Sequence, residues 1–188
     1  MTSRLPVNRT TSGADSLLNR LLTAFGKLGD FIVDPAELLP NVETGTTRRM
    51  LLLSGDHGGA LLPSGGDDYL LGAPGATFSQ KVAVNGVAVF EGILFDGTGK
   101  QPCVSIAASA RCIFNNCTFR QPKESTANYV AIASGGKAAF NGCRFTGTPG
   151  SGTVVTNAGV AGNAGIVGCL NTTGRPHNAN VTVIFEVS

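Results

Sequence analysis

Phe114-Asn115-Asn116-Cys117-Thr118-Phe119 is answered 26 residues later by Phe140-Asn141-Gly142-Cys143-Arg144-Phe145. Phe90-Glu91-Gly92-Ile93-Leu94-Phe95 begins 24 residues before the first of these, and Ile166-Val167-Gly168-Cys169-Leu170-Asn171 begins 26 residues after the second. Cys117, Cys143 and Cys169 therefore recur at a fixed spacing and align with Ile93. An apolar strand precedes each motif, at 82–84, 104–106, 130–132 and 154–155, and a polar, Gly- or Pro-rich loop closes each unit. One such unit holds two or three short strands and cannot bury its own apolar face. Stacking like units solves this, because each strand then lies about 4.8 Å from its equivalent. Like side chains form ladders through the interior. Phe90, Phe114 and Phe140 make one, Ile93 with Cys117, Cys143 and Cys169 another, and Phe95, Phe119 and Phe145 a third. Asn115, Asn116 and Asn141 fall where the chain turns, and Asn accepts the left-handed backbone that corners require.

The spacing predicts a mainly β fold, a short parallel β-helix of about four coils over residues 80–188. The motifs Phe-Asn-Asn-Cys-Thr-Phe and Phe-Asn-Gly-Cys-Arg-Phe resemble the coil motif of right-handed parallel β-helix proteins, the pectate-lyase-like superfamily. That group includes polysaccharide lyases, pectinesterases and bacteriophage tailspikes. The resemblance covers a little over half the chain and implies a right-handed winding. The last coil departs from it, with Ile166 and Asn171 in place of Phe, as a terminal unit does.

Outside the repeat the sequence divides in two. Residues 1–33 read as a polar arm followed by an amphipathic helix over 12–33. Leu18, Leu21, Phe25, Leu28 and Ile32 step by three and four, an a/d seam of about two heptads that Leu17 and Leu22 widen. Its two readings are an oligomerising or anchoring stalk and a cap over the open end of the β core. Residues 34–79 read as a connecting region broken by Pro35, Pro40, Pro63 and Pro74, with short buried strands at 50–53 and 69–71. His57 reads as a turn residue rather than a ligand, and the Asp67-Asp68 pair as a solvated turn.

Composition excludes several functions. The chain of 188 residues carries a net charge of +2 with its basic residues scattered, whereas a nucleic-acid surface needs a basic stripe. No apolar run is long enough to span a bilayer, and residues 1–16 lack the apolar core of a signal peptide. The five cysteines have no CxxC spacing, so a zinc or dithiol motif is not expected, nor is any other metal or cofactor. Charged residues are only 14% of the chain, against roughly 25% in ordinary soluble domains. A lone subunit usually needs more surface charge, so part of this surface is expected to meet other subunits.

Catalytic chemistry finds little footing. Beyond residue 80 there are one Asp and three Glu. A carboxylate pair for glycoside hydrolysis needs two acids roughly 5–9 Å apart; Glu91 and Asp96 are the nearest candidates, yet they fall on opposite strand faces. Tyr69 and Tyr129 are the only tyrosines and Trp is absent, which leaves few platforms for sugar stacking. The expectation is therefore a non-enzymatic structural protein of a bacteriophage virion, assembled in the host cytoplasm. It would be a homotrimeric capsid decoration or cement protein contacting other virion proteins of the capsid or tail, with no nucleic-acid or membrane partner. The alternatives are a tail fibre or spike component, or a carbohydrate-binding β-helix module that takes a surface glycan.

Overall fold

The computed structural model describes residues 31–35, 39, 47–123, 125–148 and 150–188. Eighteen strands among them, numbered in chain order, wind into a parallel β-solenoid of about six turns with three faces. The first face stacks β1 (Phe31–Val33), β2 (Thr47–Leu52), β5 (Asp67–Gly72), β8 (Val87–Glu91), β11 (Arg111–Asn115) and β14 (Lys137–Asn141). The second stacks β3 (Gly55–Asp56), β6 (Ala76–Phe78), β9 (Leu94–Asp96), β12 (Thr118–Gln121) and β15 (Arg144–Gly147). The long β17 (Ala164–Asn171) bends across both faces, and β18 (Val181–Val187) lies on it as the last strand. The third face is a separate sheet of β4 (Ala60–Leu62), β7 (Val82–Val84), β10 (Val104–Ile106), β13 (Val130–Ile132) and β16 (Val155–Asn157).

Two expectations are corrected. The coils number about six, not four, because residues 47–79 wind into the same sheets as the repeat. Register makes this explicit: Met50 pairs with Leu70 and Leu70 with Phe90, each 20 residues on, before the Phe90, Phe114, Phe140 and Ile166 ladder continues at 24 and 26. The Gly- and Pro-rich segment is thus not a linker; its short turns let a coil close in fewer residues. The second correction concerns the helix expected over 12–33. Phe31–Val33 is a strand paired with Met50–Leu52, so Ile32 sits in a β ladder rather than on a helical seam. Leu18, Leu21, Phe25 and Leu28 lie outside the described residues.

The core is one apolar cluster running the length of the solenoid. Alternation along each strand sends every second side chain inward. Phe90, Phe114 and Phe140 stack nearly parallel, with centroids 5.1 and 5.0 Å apart. Phe78, Phe95, Phe119 and Phe145 form a second stack at 5.8, 4.9 and 5.3 Å. The two stacks meet edge to face, as between Phe95 and Phe114, the geometry ring quadrupoles favour.

The second stack ends in polar caps. At the start, His57 lies over Phe78, its Nε2 2.9 Å from the Leu53 carbonyl. At the finish, Asn171 takes the place above Phe145, and His177 packs edge-on against the same ring. In the third sheet, Asn157 follows Val84, Ile106 and Ile132 in register. Its buried amide donates to the carbonyls of Val160 and Asn180. These two ladders stop where a side chain can hydrogen-bond nearby backbone.

Candidate functional site

The interior residues are unsuited to chemistry. Cys103, Cys112, Cys117, Cys143 and Cys169 are all buried free thiols. Burial pushes Cys112 up to about 12. Cys143 also reaches about 12, chiefly through its contact with the Cys117 thiol, and Cys169 rises through Cys143. A thiol held neutral is a poor nucleophile and a poor metal ligand. Cys143 and Cys169 instead donate to the carbonyls of Phe114 and Phe140 one coil away. Tyr129, also buried, donates its hydroxyl to the Thr146 carbonyl, so Tyr69 is the one tyrosine on the surface.

The charged groups are mostly committed to holding coils together. Arg48 and Asp68 point inward as neighbours in register and form a bidentate pair at 2.7 and 2.9 Å, each no more than 3% exposed. Asp68 therefore lies buried within strand β5 rather than in a solvated turn. Asp96 and Arg120 pair bidentately between adjacent coils on the outer second face, and the carboxylate raises the Arg120 guanidinium above its ordinary value. His177 Nε2 lies 2.9 Å from Glu186 Oε1, tying the loop after β17 to β18.

Asp56, His57 and Ser79 bring together the residue types of a hydrolytic triad, but not its order. Asp56 accepts directly from the Ser79 hydroxyl at 2.6 Å and from the amides of Gly58 and Ser79. The serine bond is the main cause that lowers the Asp56 carboxyl below its usual range. The His57 ring does not bridge the two: it points to Leu53, and its Nδ1 is buried without a partner. A general base must reach the hydroxyl it activates, so the cluster serves as a turn clamp. Glu91 is not joined to Asp96, whose carboxylate is committed to Arg120. Among the described residues no three His, Cys, Asp or Glu side chains gather as a metal site.

What remains is surface, and it is ordered. On the first face the outward row runs Arg49, Tyr69, Val89, Ile113, Ala139 in consecutive coils. Tyr69 is 45% exposed and Ile113 42%. Beside it, Val87, Arg111 and Lys137 form a parallel row. Arg111 and Lys137 stand about one strand spacing apart with no carboxylate partner among the described residues. On the third face the small side chains of Ala83, Ser105, Ala131 and Thr156 leave a shallow trough of roughly 520 Å³. At the far end, β18 exposes Val183, Ile184, Phe185 and Val187. Single-sequence reasoning did not find these rows, because the signal lies in the register between coils rather than in any one motif.

Comparison with protein-family models, with curated proteins and with solved structures returns no match.

Proposed function

We propose that this chain is a non-enzymatic structural subunit of a bacteriophage virion, a homotrimeric decoration or cement protein. Its solenoid flanks would pack side by side, and its N-terminal region, residues 1–30, would anchor it to capsid or tail proteins. The observation that carries this reading is the outer first face. Tyr69, Val89 and Ile113 line up in register, with exposed Val87 in the neighbouring row, as apolar surface on a chain that is poor in charge. Contiguous apolar surface of this kind marks protein interfaces. The unpaired Arg111 and Lys137 beside it suit an acidic partner surface. A right-handed winding of the pectate-lyase-like type belongs to the same proposal, since parallel crossovers take that hand in about 98% of cases.

The test combines sedimentation with particle binding. The full-length chain is expected to contain trimers and to co-sediment with the purified particle. Ile113→Lys, on an exposed position, is expected to keep the fold and break the trimer. A chain that shows no threefold association at micromolar concentration, or an Ile113→Lys variant that still trimerises, overturns the lateral interface.

A further inference from the structure

We propose that the C-terminal strand β18 is a docking edge for β18 of a second copy, so that two solenoids join tail to tail about a two-fold axis. This stands apart from the lateral interface and from the virion reading. Among the described residues β18 has one strand partner, β17, so its other edge offers unpaired backbone donors and acceptors. Such an edge is a template for another strand. The strand is also apolar where it is bare: Ile184 is 71% and Phe185 60% exposed, with Val183 and Val187 beside them. Its single charge, Glu186, is already occupied by His177, so apposed copies bring no unpaired carboxylates together.

The choice of occupant follows from length and symmetry. Continuing head to tail would set the seven residues of β18 against a β1 of three described residues. Most of its bare strand would stay uncovered, and an end-to-end contact of that kind repeats without limit. A second β18 matches in length and apolar character. A two-fold axis across the strand generates an antiparallel pair, which satisfies both edges and then closes. The contact resembles β-augmentation, with main-chain bonds supplying cohesion and the apolar row supplying selectivity.

Mass separates this idea from the trimer. If both interfaces exist, the full 188-residue chain sediments as six copies, falls to three in an Ile184→Lys/Phe185→Lys variant, and falls to two in Ile113→Lys. If only β18 associates, the wild type is a dimer and the β18 variant a monomer. Both substitutions replace exposed side chains, and circular dichroism checks that the solenoid persists. Hydrogen exchange adds a second readout: β18 amides should be protected in the wild type and exchange at least tenfold faster in the variant. A wild type that is monomeric or strictly trimeric overturns the proposal. So does any assembly whose mass the β18 variant leaves unchanged, or β18 protection that survives in that variant, which would mean that residues 1–30 of the same chain cover the edge.

Discussion

Gly92, Asn116, Gly142 and Gly168 occupy one corner in successive coils, with φ of 66°, 52°, 60° and 62°. Only glycine and asparagine adopt this left-handed geometry routinely, so the corner is written into the chain residue by residue. Gly142→Ala should cost about 1–2 kcal/mol. The added Cβ would sit 2.8 Å from Asn116 Oδ1, the end of a side chain that can swing aside. Gly147→Ala should cost more, because its Cβ would fall 2.1 Å from the Gln121 carbonyl oxygen, which is fixed backbone. Urea midpoints decide the order; equal midpoints would mean that the corners yield more easily than their geometry implies. The thiols give a pH prediction. Cys112 ionises near 9 when solvated but is pushed up to about 12 in the fold. The unfolded chain therefore loses this proton first. The contribution is complete below pH 9 and is lost as pH climbs from 9 toward 12. Ala88 and Ala138 flank Cys112 in its ladder, so Cys112→Ala fits. It should lower neutral stability by only about 1 kcal/mol and flatten the alkaline fall in melting temperature. An unchanged slope between pH 8 and 11 would show that Cys112 is not a source of it.

At the scale of strands and ladders, the two Phe stacks carry the greatest load. Phe114 touches four rings, those of Phe90, Phe95, Phe119 and Phe140. Phe114→Ala should cost about 3–5 kcal/mol, more than Phe78→Ala at the stack's end. A melting temperature that moves less for Phe114 than for Phe78 would refute the ranking. The Arg48–Asp68 pair behaves differently. Asp68→Ala removes the bidentate carboxylate from a buried guanidinium and should cost about 3–5 kcal/mol, whereas Arg48→Met together with Asp68→Ala should recover most of the loss. This pair also explains how far the sequence could be read. Phe114, Cys117, Phe119 and their repeats announce themselves because the same residue types recur at a nearly constant period. The earlier coils put Met50 and Leu70 on the Phe90 ladder, Ala76 in step with Ile93 where later coils carry Cys, and a charged pair on the ladder that becomes Ala88 and Cys112. They also close in 20 residues rather than 26. Strands at 50–53 and 69–71 were legible as buried segments, but nothing local said that they belonged to the same solenoid. The Asp56–Ser79 clamp and the outer rows were illegible for the same reason, since their members lie about one coil apart.

At the scale of the whole molecule, the solenoid already includes Phe31–Val33 among the described residues, well before residue 80. Val33 is buried and its carbonyl accepts from the Leu53 amide. A chain beginning at residue 31 keeps this pairing. One beginning at residue 34 uncovers β2 and the buried Met50 and Leu52, and should melt several degrees lower. Equal melting temperatures for the two truncations would remove β1 from the folding unit. The rise per coil is set by the backbone, but the circumference is not. Between the second and third faces the chain spends four residues from Phe78 to Val82, nine from Phe95 to Val104 and eleven from Phe119 to Val130, while the strands on either side stay in register. Gln121 secures this corner from within: its Nε2 donates to the carbonyls of Gln101 and Asn128, and its Oε1 accepts from the Gly99 amide. Length can thus be added there without disturbing a single ladder. The corner is a ready port for grafting, where a foreign peptide placed within 148–153 would be displayed once per chain on a scaffold whose geometry it does not alter.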